Sequence, residues 1–214
     1  MSPTAEPVRR PGRPRSEAKY TAILGAAAEL FLADGYTRTS MDGIAKRAGV
    51  SKQTVYGHFA DKAALFSAVV AEARSGDESA LGRLPETPGS HLPAIRAELS
   101  AFLDKNLQIA LSPKVSALRR LMISEIAHHR ELRWFWTEGA PQVARARLAA
   151  YLATADAAQL LRVEDPDETA GQMIALSGSE GQLASRYGTA TFTAADRKAI
   201  VDRTIRLFLR ALAP

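Results

Sequence analysis

Thr39–Phe59 reads TSMDGIAKRAGVSKQTVYGHF, and the order of its polar, apolar and glycine residues decides the fold. Ser40 offers an oxygen to a free first-turn N–H, and Asp42 suits the positive end of a helix running to Lys46 or Arg47. Ile44, Ala45 and Ala48 recur at the three- and four-residue spacings of a core-facing stripe, with the small Ala45 where a second helix must cross closely. Gly49 stands where a positive φ reverses the chain cheaply, Val50 points inward, and Ser51 caps the next helix. Between Lys52 and His58 the one plain aliphatic is Val55, so this helix has a single anchor and offers Lys52, Gln53, Thr54, Tyr56 and His58 outward. Two short helices around a glycine turn, the second polar and groove-sized, make a helix-turn-helix whose outer face suits DNA. An ordinary surface helix pair has the same local pattern, so the flanking sequence must separate the two.

Before this stretch, Ile23, Ala26, Ala27, Leu30 and Phe31 form the core stripe of a first helix that ends near Gly35, and Tyr36 leads into Thr39 and Ser40. After it, Asp61 caps a fourth helix with Ala64, Leu65, Ala68 and Val69 as its inward side. With both flanks in place, the region from about Tyr20 to Val70 resembles the DNA-binding region of the TetR/AcrR family of transcriptional regulators. VYGHFADKAALF, Val55 to Phe66, carries the family signature of tyrosine, histidine, phenylalanine, a short polar turn and lysine. Gly57 departs from it, replacing a residue that is often bulkier. The resemblance implies that Lys52, Gln53 and Thr54 face base edges and that Thr39, Tyr56, His58 and Lys62 hold phosphates. Ser40, at the helix start, joins this DNA-binding group.

The composition agrees with that reading. The chain has 214 residues, 46% of them hydrophobic, enough for a buried core in one large or two small domains. No cysteine is present, which excludes disulfides, thiol catalysis and cysteine-ligated metal sites. The longest run without Asp, Glu, Lys or Arg is Thr169–Ser179, only 11 residues, too short for a transmembrane helix. An Arg/Pro-rich beginning without an apolar segment does not read as a secretory signal, so a cytoplasmic location is expected. Residues 1–62 hold 10 Lys/Arg against 6 Asp/Glu, whereas residues 63–214 hold 18 against 17. A basic head on a near-neutral body is what a phosphate-facing domain requires, although a solvated basic tail gives the same asymmetry.

Three segments are expected: a disordered basic arm over 1–15, a helix-turn-helix domain over 16–62 and a helical regulatory and dimerisation domain over 63–214. The arm has four prolines and four arginines, and Arg13 and Arg15 can lie extended in a narrow minor groove. Gly76–Pro93 is rich in helix breakers and reads as a linker. Beyond it the apolar spacing is helical throughout, so the fold class is all-α. RRLMISEIAHHRELRWFWTEG, Arg119–Gly139, is loosely similar to the C-terminal domain of AefR-like relatives.

No nucleophile elbow, phosphate loop or zinc-helix motif appears, and adjacent His128 and His129 point about 100° apart on a helix. No catalytic residue, metal or cofactor is therefore expected, and the chain does not read as an enzyme. Family resemblance implies a homodimer built on the last two helices. There Gly171, Ala175, Gly178 and Gln182 share one face, joined by Ile205 and Phe208, although the same small stripe could serve packing within one chain. The same resemblance implies a body cavity for a small apolar or amphipathic ligand. Phe102, Asn106, Leu118, Met122, Trp136 and Met173 are its candidate lining, with Glu125 or Asn106 orienting the ligand, although any one of these could equally fill a solid core and Glu125 could pair with Arg119, Arg120 or Arg130. The function expected is a regulator of double-stranded DNA, a repressor released from a palindromic operator by its ligand. An activator or ligand-independent regulator is the alternative, and a helical enzyme with a DNA-binding head or a nucleoid-type structural protein is remoter.

Overall fold

The computed structural model describes residues 13–75, 82–132 and 140–214, and among them every regular element is helical. The helices are α1 (Arg13–Arg38), α2 (Met41–Ala48), α3 (Lys52–His58), α4 (Lys62–Ser75), α5 (Leu92–Ala110), α6 (Pro113–Glu125), α7 (Ala140–Ala157), α8 (Pro166–Ala184) and α9 (Ala194–Ala211), with a 3-10 turn at Arg130–Leu132. The chain divides into two compact units between Val69 and Val70, inside α4. The extended reading of Arg13 and Arg15 needs correcting. Both stand in the first turn of α1, where Pro14 is tolerated because a first-turn residue has no helical N–H partner to lose. The rest of the arm, residues 1–12, lies outside the described residues.

In the first unit, α1 is interrupted at Gly35 (φ 84°), as its sequence suggests. Phe31, Tyr36 and Phe66 then meet as three mutually packed rings with centroids 5.0–5.7 Å apart. Each ring is almost fully buried, worth ~1.5–3 kcal/mol for a large apolar side chain, so this cluster ties both ends of the unit together. Ile23, Ala27, Ile44, Val55 and Leu65 complete the core. On α4 the inward side is Leu65, Phe66 and Val69, whereas Ala64, expected to point inward, is exposed. The inward face is set one position further along, by Leu65, Phe66 and Val69, leaving Ala64 on its solvent edge, while Asp61 Oδ1 accepts the Ala64 N–H at 2.7 Å and caps the helix.

The helix-turn-helix is built by its caps. Ser40 Oγ accepts the Gly43 N–H, and Ser51 Oγ accepts the Thr54 N–H, each at 3.1 Å. Between them Gly49 adopts φ 66°, ψ 30°, the left-handed conformation that lets the Val50 N–H return to the Ala45 carbonyl at 3.1 Å.

In the second unit α5, α7, α8 and α9 enclose the core. Leu99, Phe102, Leu148, Leu152, Met173 and Ile205 lie at its centre. Asp165 caps α8 through the Glu168 N–H at 2.9 Å, and Thr193 and Asp196 form a reciprocal capping box on α9. His91, part of the expected linker, caps α5 through Nδ1 instead. Tyr151 Oη donates to Glu98 at 2.5 Å, and the same carboxylate accepts the Gly89 N–H, tying the approach to α5 onto α7. Burial and the facing Glu98 push the Tyr151 hydroxyl well above the usual phenol range. After α8 the chain turns through Arg186, Tyr187 and Gly188, all with positive φ. Gly188 is required there, since a Cβ at that position would fall 2.4 Å from the Ser116 Cβ.

Candidate DNA-binding surface and regulatory cavity

Helix α3 presents the polar face expected of it. Val55 is completely buried and anchors the helix, while Lys52, Gln53 and Tyr56 are exposed and Thr54 and His58 are half-buried. Lys52 Nζ is 2.9 Å from an Asp42 oxygen and 5.8 Å from the centre of the Tyr56 ring. The hydrogen bond to Asp42 and its negative charge raise the Lys52 pKa, so the group is a cation at neutral pH. Both partners are well exposed, and such pairs contribute little to stability. Lys52 can therefore exchange Asp42 for a phosphate or a base at small cost. His58 is aimed by its neighbours, edge-on to Tyr20 at 5.8 Å and tilted against Phe59 at 6.2 Å.

Three other residues of the expected DNA-contacting set hold the head together. Thr39 is 4% exposed and its hydroxyl donates to the Gly35 carbonyl at 2.7 Å. Ser40 remains exposed, but its oxygen serves as the α2 cap. Lys62 opens α4, and its ammonium donates to the carbonyls of Tyr36, Thr37 and Thr39 at 2.8, 3.3 and 3.1 Å. It also lies 4.4 Å from the centre of the Tyr36 ring. The connection from α1 to α2 thus has its carbonyls satisfied by a side chain that the family resemblance assigned to phosphate. A lysine a short polar turn after a loop phenylalanine looks the same in either role.

The second unit contains a cavity of about 500 Å³, with walls from α5, α6, α7 and α8. Its apolar lining includes Leu103 and Leu107 inside and the largely exposed Ile123 and Leu183 at its open mouth, and its polar groups include Asn106, Arg119, Gln182 and Tyr187. Of the residues expected to line a pocket, Asn106 does so, with its amide donating to the Phe102 carbonyl at 2.8 Å. Phe102, Leu118, Met122 and Met173 are instead buried as solid packing. Glu125 lies 3.6 Å from His129 and is not part of the lining. Trp136 lies outside the described residues.

The small face of α8 serves this cavity. Ala175, Gly178 and Gln182 line it, and a Cβ at Gly171 would touch the Arg145 guanidinium at 3.3 Å. Gln182 is 5% exposed, and Ile205 is fully buried in the core. Of the other residues expected at a dimer face, Ala175 is exposed and Gly171, Gly178 and Phe208 are half-buried within one chain. The apolar side chains that α8 and α9 do expose are Leu176, Leu183 and Leu207. Sequence spacing located the small face of α8 but could not tell what faced it, and it missed Arg119, whose neighbours read as an ordinary charged helix.

Among the described residues no three His, Asp or Glu side chains are placed to hold a metal, and no helix is long and apolar enough to cross a membrane.

Comparison with known proteins agrees with this architecture. Residues 23–69 match the bacterial regulatory proteins of the tetR family, and residues 97–214, more than half the chain, match the AefR-like transcriptional repressor C-terminal domain. Among solved structures, the Flavonoid-responsive Regulator FrrA is 31% identical, with a TM-score of 0.76 over 92% of this chain and 98% of FrrA. A TetR family transcriptional regulator from Pseudomonas syringae is 26% identical, with a TM-score of 0.70 over 92% of this chain and 98% of that one. The HTH-type transcriptional activator FasR of Mycolicibacterium smegmatis is 36% identical over 91 residues, 42% of this chain and 41% of FasR. The HTH-type transcriptional regulator AcrR of Shigella flexneri is 34% identical over 120 residues, 54% of this chain and 52% of AcrR. The chain thus matches about half or less of the length of these two relatives.

Proposed function

Because this chain belongs to the TetR family of DNA-binding bacterial regulators, we propose that it is a homodimeric repressor released from a roughly palindromic operator by a small amphipathic ligand. The observation that carries the DNA half of this reading is α3, anchored by the buried Val55 while Lys52, Gln53 and Tyr56 stand exposed. Two copies would present two such helices about 34 Å apart, the repeat of the major groove on one face of B-DNA. The exposed Leu176, Leu183 and Leu207 supply an apolar face for the second copy, across α8 and α9. The cavity in the second unit supports a ligand, and FrrA, by its name, responds to flavonoids, compounds of the kind such a cavity would take. Ligand and operator would then oppose each other only to the extent that each prefers a different conformation of the body.

Selecting bound fragments from random DNA with the purified protein tests the reading. Two inverted half-sites about one helical turn apart are expected, and equal retention of all sequences would refute it. On the selected operator, Lys52→Ala or Gln53→Ala should relax preference at one or two base positions, by about 1–3 kcal/mol for each bidentate pairing with a base that the side chain had made. A uniform weakening over all positions would move those residues to the backbone. Deleting residues 1–12 removes Arg9 and Arg10, and is expected to lower operator affinity and flatten its salt dependence without changing the melting temperature. Unchanged affinity at low and moderate salt would make the arm a passive tail.

A further inference from the structure

We infer that the cavity of the second unit is a shared site, completed by a second copy of the chain whose Leu176 closes its mouth. This rests on the dimer and the ligand proposed above and adds that each strengthens the other.

Within one chain the site is incomplete in two ways. Its mouth lies open between Ile123, Leu183 and Tyr187, all exposed, whereas a site for an organic molecule ordinarily surrounds most of its guest. Inside, Gln182 is 5% exposed and its Nε2 reaches the Ala110 carbonyl at 3.5 Å, which leaves Oε1 buried with no donor among the described residues. A buried carbonyl oxygen of this kind calls for an O–H or N–H from a guest or an ordered water. The interior is prepared for a ligand that the open mouth holds poorly.

The helix at the edge of the mouth points to what covers it. On α8, Gln172, Ala175, Leu176, Ser179 and Leu183 recur three and four residues apart, all exposed and none charged. Glu180, on the adjoining edge, is ion-paired with Arg203 of α9. An exposed face without charge over about three turns holds nothing that repels its own copy, and a two-fold interface demands that self-complementarity. Two such helices, antiparallel about an axis beside Ser179, set Leu176 of one copy against Leu183 of the other, since the leucines stand on either side of that axis. The acidic first turn of each α8, with Asp167 and Glu168, then runs toward the exposed Arg186 past the end of the other.

Leu183 borders the mouth, but Leu176 is not part of the lining in its own chain. Laid over Leu183 of the other copy, it becomes a wall of that copy's cavity and takes apolar surface of the guest out of water. A ligand should therefore bind the dimer more tightly than the single chain, and by linkage tighten the dimer in return.

The test uses full-length chains and 1-aminoanthracene, a neutral aromatic amine with an N–H to donate, followed by its fluorescence. The unmodified dimer is expected to bind two probes. A Cβ at Gly178 meets nothing within 4 Å, so Gly178→Leu should fill the cavity and bind none. Leu176→Ser leaves the cavity open without its cover, and its affinity should fall about tenfold. Thermal melting checks that each variant folds, and Gly178→Val replaces the leucine variant if that one does not. Co-expressing the two variants under different affinity tags, with purification through both, gives mixed dimers. One site per mixed dimer should return at the unmodified affinity, because the Gly178→Leu chain supplies the cover that the Leu176→Ser chain lacks. A mixed dimer that binds no tighter than Leu176→Ser alone overturns the inference, as does Leu176→Ser binding like the unmodified protein; the ligand and dimer readings survive both results. No binding to the unmodified protein at about 1 mM, or undiminished binding to Gly178→Leu, removes the ligand reading, and failure to recover any doubly tagged protein removes the dimer reading. Either loss takes the inference with it.

Discussion

Replacing Lys62 by methionine is expected to lower the stability of the first unit by about 3 kcal/mol or more, because hydrogen bonds from a charged donor contribute roughly 1.5–3 kcal/mol each. Methionine keeps much of the side-chain length and its packing on the Tyr36 ring, so the effect isolates the ammonium and the three carbonyls it serves. The Tyr36, Thr37 and Thr39 carbonyls follow the break in α1 at Gly35 and lead directly into the Ser40 cap of α2. Loosening them should detach α2 and α3 from the three-ring core. Thermal unfolding followed by circular dichroism should show the melting of this unit lowered by roughly 12–24 °C. Operator affinity should fall for all sequences alike, through the population of ordered heads. An unchanged melting temperature together with a shallower salt dependence would return Lys62 to the phosphate-binding role that its sequence context suggested.

A second large effect is expected from Leu183→Glu combined with Leu207→Glu. The two side chains are 66% and 57% exposed within one chain, so the protomer should fold normally. If they pack against a second copy, the double change removes four buried leucines per dimer, each worth ~1.5–3 kcal/mol, and places like charges in their stead. The dimer dissociation constant should rise by about four orders of magnitude or more, on the order of 6 kcal/mol. Sedimentation velocity at micromolar concentration should then show a monomer, and operator binding should collapse because a single head reaches only one half-site. A variant that remains dimeric and binds DNA would place the interface on another face.

The first unit was legible in the sequence because its determinants are local. Ser40, Gly49, Ser51 and Asp61 each act on a backbone group a few residues away, and all four do in three dimensions what their spacing suggests. Lys62 was not legible in the same way, because its partners lie 23 to 26 residues earlier and are carbonyls, which every residue possesses. The body helices were readable as helices for the local reason and unreadable as a site for the non-local one. Phe102, Leu118, Met122 and Met173 are large, apolar and adaptable, equally suited to walls and to solid packing; the space they occupy decides, and they are packed. The stripe of Gly171, Ala175, Gly178 and Gln182 does share one face, and within one chain Gly171 meets Arg145 while Ala175, Gly178 and Gln182 line the half-open cavity.

Two glycines one helical turn apart on α8 divide two tasks that are usually coupled. A Cβ at Gly181 would lie 2.8 Å from a methyl of Leu111, which would have to move aside, while three residues earlier a Cβ at Gly178 would meet nothing within 4 Å. If the body takes a ligand as proposed, changing residue 178 alters how much room it has without a clash against a neighbouring helix. For the ligand-released repressor proposed above, the dose–response of a reporter circuit could be retuned by a graded series of alanine, valine and leucine at one codon. Such a series would turn one regulator into a family of detectors with different size cut-offs and a shared output.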